Sequence, residues 1–117
     1  MPTVTGSAKL IRFGPFELDL RAMQLRKHGL RIKLQERPFQ ILCVLLEDRG
    51  ALVTRETLKR RLWKSGTFVD FDHGISSAVN KLRAALSDSA ESPRYVETIG
   101  RAGYRFVAEI SVDEPAL

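Results

Sequence analysis

Asp72-His73-Gly74-Ile75-Ser76-Ser77-Ala78-Val79-Asn80-Lys81-Leu82-Arg83-Ala84-Ala85-Leu86 repeats its apolar residues at a helical period. Ile75, Val79, Leu82 and Leu86 stand at i, i+4, i+7 and i+11, with Ala78 and Ala85 beside them, and Asp72 is suited to the N-cap. At about 100° per residue, the side turned away from that stripe holds His73, Ser77, Asn80, Lys81 and Ala84, flanked by Ser76 and Arg83. None of these is acidic. An exposed face that serves solubility alone usually mixes Glu with Lys one turn apart. Small polar groups and cations instead let a helix backbone approach the floor of a DNA groove. Asn80 has the donor and acceptor to read an adenine edge bidentately, and Lys81 and Arg83 have the reach for guanine or phosphate. The bland alternative is a solvated helix of accidental composition.

Upstream, Thr54 can cap a second helix that runs to Trp63 and turns Leu58 and Leu62 inward. A complete capping box would need Glu or Gln at position 57, where Thr57 stands. This helix carries Arg55, Lys59, Arg60 and Arg61, followed by Lys64, against the lone Glu56, a density that suits phosphate clamping or simply a wet face. Lys64 to Asp72 reads as a long connection anchored by Phe68, Val69 and Phe71. Before it, Leu52-Val53 looks briefly extended. The first helix has Pro38 in its opening turn, Phe39, Leu42, Cys43 and Leu46 at helical spacing, and Gly50 as its stop.

From Leu10 to Leu34 the period shortens to two. Leu10 to Phe13, Phe16 to Leu20, Met23 to Lys27 and Leu30 to Leu34 are separated by Gly14-Pro15, Arg21-Ala22 and His28-Gly29. That pattern predicts a four-stranded antiparallel meander with Phe16, Leu18 and Leu20 on one face. At the other end, Tyr95 to Ile99 and Tyr104 to Val107 flank Gly100-Arg101-Ala102-Gly103, which predicts a hairpin projecting Arg101 toward a narrow minor groove or a phosphate. The two glycines are read as the residues that permit the tight turn. Alternation with Arg105 turns Tyr104 and Phe106 inward, leaving no aromatic platform for single-stranded nucleic acid. An ordinary surface arginine is the plainer reading of position 101.

Composition fits one domain. The chain has 117 residues, is 44% hydrophobic, and carries 19 Lys and Arg against 14 Asp and Glu, a net charge of +5 that favours a polyanionic partner if clustered. Residues 1–9 read as a flexible lead-in, 10–110 as the domain, and 111–117, with Asp113, Glu114 and Pro115, as a linker or tail. Cys43 has no disulfide partner and reads as a small core residue. No run is long and apolar enough to span a bilayer, and the N-terminus lacks the apolar block of a secretory signal, so a cytoplasmic setting without membrane contact is expected. His28 and His73 lie in a turn and at a helix start, with no metal-ligand spacing and no phosphate-cradling glycine loop. Catalysis, a metal site and a cofactor are therefore not expected.

The sequence resembles the OmpR/PhoB-type winged helix-turn-helix regulators from about Leu10 to Val107. The matching pieces are Val53-Thr54-Arg55-Glu56 with Leu58 and Leu62-Trp63, then Val79-Asn80-Lys81-Leu82-Arg83-Ala84-Ala85-Leu86, and Tyr95-Val96-Glu97-Thr98-Ile99 before Gly103-Tyr104-Arg105-Phe106. Ser76 and Ala78 stand where many members carry Asp and His. Thr67 to Gly74 looks more like the one-component, CadC-like branch. The resemblance implies an α+β fold with an N-terminal four-stranded sheet, three helices, the third in the major groove of double-stranded DNA, and a C-terminal hairpin wing on the minor groove or backbone. It also implies a role in transcription regulation, contact with RNA polymerase through residues 64–72, and tandem or paired protomers on repeated half-sites. Taken with the charge reading, the expected DNA-binding residues are Arg55, Lys59, Arg60, His73, Ser76, Ser77, Asn80, Lys81, Arg83, Ala84 and Arg101. A winged helix used for protein docking is the principal alternative, and it should expose apolar anchors rather than a basic surface. RNA binding ranks below both.

Overall fold

The computed structural model describes residues 10–63 and 71–113. Their elements run β1 (Leu10–Phe13), β2 (Phe16–Asp19), β3 (Gln24–Lys27), β4 (Leu30–Ile32), α1 (Glu36–Glu47), β5 (Val53–Thr54), α2 (Arg55–Leu62), α3 (Phe71–Leu86), β6 (Val96–Ile99), β7 (Gly103–Phe106) and β8 (Ser111–Asp113). The described residues divide into two compact units, 10–33 with 108–113, and 34–63 with 71–107. The fold is α+β, as the sequence predicts, with antiparallel sheets and three helices.

In the first unit β1 to β4 form the predicted meander, in register Ile11↔Leu18↔Leu25↔Ile32. Alternation buries Ile11, Phe13, Phe16, Leu18 and Leu25, whereas Leu20, expected with them, lies beyond β2 and is only half-buried. On the other face Arg12 pairs with Glu17 at 2.9 Å and Arg26 with Asp19 at 3.1 Å. Asp19 also accepts the Ala22 N–H at 2.9 Å and so fastens the turn between β2 and β3. One expectation is corrected here. Ser111–Asp113, read from composition as the start of a linker, is a strand that pairs Leu10↔Asp113, Ile11↔Val112 and Arg12↔Ser111, making the sheet five-stranded in the order β4-β3-β2-β1-β8. The open edge of β1 offers N–H and C=O groups that an added strand satisfies, whatever its charge.

The second unit is built on helices. α1 begins two residues ahead of Pro38, which is tolerated because the first four N–H groups of a helix have no partner within it. Its burial is broader than the predicted stripe and takes in Ile41, Val44 and Leu45 as well. Cys43 is half-buried, and burial, then the neighbouring Glu47 carboxylate, push its thiol up to about 11, keeping it protonated. α2 is capped as predicted, with Thr54 Oγ1 accepting the Thr57 N–H at 3.0 Å. The missing Glu or Gln is replaced by a hydroxyl pair, Thr54 Oγ1 to Thr57 Oγ1 at 2.9 Å. α1 packs against both α2 and α3, and Leu58, Ile75, Val79, Leu82 and Leu86 are buried. Each such side chain contributes about 1.5–3 kcal/mol through removal from water.

β5, β7 and β6 form a small sheet in that order, with Val53↔Tyr104 and Thr98↔Tyr104 in register. Tyr104 and Phe106 are buried, as the alternation predicts. No helix among the described residues is long and apolar enough to cross a membrane.

Candidate nucleic-acid interface

α3 separates its two sides by residue type. Ile75, Ala78, Val79 and Leu82 are buried, while His73, Asn80, Lys81 and Ala84 are exposed and Ser76 and Ser77 half-buried. His73, Ser76, Ser77, Asn80, Lys81 and Ala84 line an open concavity of about 430 Å³. Six of the residues singled out in the sequence are thereby gathered at one surface, and no carboxylate is among them. α3 begins at Phe71, so Asp72 lies in its first turn rather than at the cap. Residues 64–70 of the predicted connection, Phe68 and Val69 included, lie outside the described residues.

Arg83 does not join that surface. Only 7% exposed, it donates from Nε and Nη2 to the Val96 carbonyl, at 3.2 and 2.9 Å, and from Nη2 to Thr98 Oγ1 at 2.6 Å. A side chain at the flank of a helix can turn either way, and here two acceptors of β6 take it inward. Its position among the DNA-binding candidates is corrected on that ground: it anchors α3 to the hairpin. Lys81 stays outside and donates to Gln35 Oε1 at 2.9 Å, so the residue ahead of α1 borders the same face. Gln35 was missed in the sequence because nothing local marks it.

The cations of α2 are not equivalent. Arg61 holds Glu47 through two bonds of 3.1 and 3.0 Å, a fork that raises its own already high pKa. Arg55 lies over the Tyr104 ring at 5.2 Å. Lys59 and Arg60 are exposed. The backbone N–H of Arg55 donates to the Ala102 carbonyl at 3.1 Å, tying the hairpin tip to the start of α2.

At that tip Arg101 is exposed between Gly100 and Ala102, and the Ala102 N–H closes the turn on the Ile99 carbonyl at 2.9 Å. Gly100, at φ +50°, has the left-handed conformation that glycine adopts without strain, in keeping with the tight turn expected of it. Gly103 is there for a different reason, close approach, because a Cβ at that position would stand 2.1 Å from the Val53 carbonyl oxygen. The link from α3 to β6 rests on Asp88, another residue the sequence reading passed over. Its carboxylate accepts the N–H groups of Ser89, Arg94, Tyr95 and Val96 at 2.7–3.1 Å. Burial opposes its ionisation, but those donors together hold the carboxyl below its ordinary value of 3.8. An Asp just past a helix end, followed by Ser89-Ala90-Glu91-Ser92-Pro93, is the local signal that could have found it.

A helix whose concave face carries no acid among the described residues, preceded by a short basic helix and followed by a glycine-tipped hairpin, is the arrangement of a winged helix. The model of the family described as "Transcriptional regulatory protein, C terminal" matches residues 29–106. The chain belongs to this family. It is an OmpR/PhoB-type DNA-binding domain of transcription regulators, a family of binding domains rather than of enzymes. The response regulator DrrB of Thermotoga maritima, an OmpR/PhoB homolog, is 33% identical with a TM-score of 0.75, over 84% of this chain and 44% of that one. The DNA-binding domain of RstA from Klebsiella pneumoniae, solved in complex with the RstA box, is 28% identical with a TM-score of 0.72, over 84% of this chain and 96% of that one. Among curated relatives, the cholera toxin transcriptional activator of Vibrio cholerae is 30% identical over 83 residues, 71% of this chain and 28% of its own length. The transcriptional activator CadC of Escherichia coli is 24% identical over 102 residues, 86% of this chain and 20% of its own. This chain thus spans well under half the length of those two curated relatives.

Proposed function

We propose that this domain binds double-stranded DNA in a sequence-specific way, with α3 in the major groove and Arg101 on the minor groove or the backbone. The observation that carries the reading is the concave face of His73, Ser76, Ser77, Asn80, Lys81 and Ala84, small or polar throughout and without an acid. Asn80 is exposed, which leaves its amide available to a base edge. Arg55, Lys59 and Arg60 of α2 hold phosphates and set the register, and Arg101 adds a contact from the hairpin. RstA offers a precedent, since its DNA-binding domain shares the fold and was solved with a DNA box. Protomers pair on repeated half-sites, residues 64–72 meet RNA polymerase, and the setting is the cytoplasm, where bacterial-type regulators find their DNA.

Selection of bound duplexes from a random pool, followed by salt titration of the winner, tests the proposal. Enrichment of a defined sequence with an affinity that falls steeply as salt rises is expected. An unenriched pool together with a flat salt response would instead mark a protein-docking domain.

A further inference from the structure

Arg37 lies in the first turn of α1 and is absent from the concave face of α3. It is nevertheless connected to the start of that helix through one intermediate, Trp63. The Arg37 guanidinium donates through Nη1 to the Leu62 carbonyl, one of the last carbonyls of α2 and so one without a partner inside the helix. The same group lies 4.3 Å from the ring centroid of Trp63, the residue just past the end of α2, and reaches Gln40 Oε1 at 3.4 Å. The indole in turn packs on α3 at Gly74, where a Cβ would stand 3.3 Å from Cζ2 of the ring, tighter than ordinary contact. Three helices therefore meet at one point. Arg37 touches both the end of α2 and the indole, and the indole touches the first turn of α3.

We propose that Arg37 is a positioning residue for the reading helix. Rather than contacting DNA, it acts through Trp63 on the placement of the N-terminal half of α3, where His73, Ser76 and Ser77 stand. This inference rests on the DNA-reading role given to α3 above. The chemistry favours arginine specifically. A guanidinium can lie flat on an aromatic ring while donating in its own plane to a carbonyl, and an ammonium on a flexible stem cannot hold both at once. Gly74 is the matching requirement on the opposite side of the contact.

The test compares Arg37→Lys, Arg37→Ala and Gly74→Ala with wild type and with Arg31→Ala, which removes an exposed cation of β4. Three readouts are taken: Trp63 emission, free of interference because the chain has a single tryptophan; backbone amide shifts of residues 73–77 in the free protein; and affinity for the selected and for a scrambled duplex across a salt series. Arg37→Lys and Arg37→Ala should change the emission and move the amide shifts. They should also weaken the selected duplex by about tenfold, near the lower end of the loss for one base contact, with little effect on the scrambled one and an unchanged salt slope. Arg31→Ala should do none of this. Should Arg37→Ala fail to fold, Arg37→Lys, which keeps charge and stem, decides the matter. Amide shifts at wild-type values, or equal losses on both duplexes with a shallower salt slope, would overturn the proposal, the latter making Arg37 a phosphate contact. If wild type itself prefers no duplex, the DNA-reading role of α3 falls while the amide shifts still decide whether Arg37 places the helix.

Discussion

Gly103 and Val53 are in contact through their backbones, with no room for a side chain between the hairpin and β5. A methyl group at Gly103 would meet a carbonyl oxygen at 2.1 Å and the Thr54 Cα at 2.8 Å, neither of which is the far end of a flexible chain. Gly103→Ala should therefore separate β7 from β5 at a cost of about 1–3 kcal/mol, the range for forced overpacking. Urea unfolding monitors this directly, and a wild-type midpoint would show that the two strands part without penalty. Because the Ala102 carbonyl is bonded to the first residue of α2, the same variant should loosen the hairpin tip and weaken duplex binding.

Two arginines that look alike in the sequence should give opposite results. Arg83→Met removes the bonds to Val96 and Thr98 and should lower stability by about 1.5–3 kcal/mol, as for hydrogen bonds made by a charged group, while the salt slope of DNA binding stays as in wild type. Arg101→Ala should leave the unfolding midpoint alone, weaken every duplex alike and reduce the salt slope by about 1. A slope change from the Arg83 variant, without loss of stability, would return that residue to the DNA surface.

The carboxylate of Asp88 makes stability depend on pH. Its pKa is lower in the folded protein than its ordinary 3.8, so the folded state favours the ionised form. The resulting stabilisation is present in full above that value and disappears as pH falls through the folded pKa. Wild type should lose stability across this acid window faster than Asp88→Asn. Denaturant titrations from neutrality to below 3.8 check it, and parallel profiles for the two proteins would assign the acid sensitivity elsewhere.

Asn80 is the candidate reader with the most specific chemistry. Asn80→Ala should cost on the order of 1–3 kcal/mol at one base position and relax the preference there, leaving other positions as before. Competition binding with single-base variants of the selected duplex measures this. A uniform loss over all variants would reassign Asn80 to the backbone.

Much of this molecule was legible without coordinates, for a physical reason that applies to each element in turn. The alternation from Leu10 to Ile32 and the spacing of Ile75, Val79, Leu82 and Leu86 follow from backbone geometry, so the strands and helices, the Thr54 cap and the outward set from His73 to Ala84 could be found locally. Arg83 shows where such reading ends. Its angular position on α3 leaves two directions open, and the groups that choose between them come from residues 13 and 15 positions along the chain.

Sequence alone thus settled β1 to β4, the three helices, the terminal hairpin and the outward set from His73 to Ala84 apart from Arg83, since these depend on periods built into the chain itself. Tertiary structure decided which cation stays on the surface, why Gly103 must be glycine, that Ser111–Asp113 completes a sheet, and that Arg37 touches the same indole as α3. Those outcomes depend on which distant groups packing brings within hydrogen-bond or van der Waals reach, and no period along the chain encodes that distance.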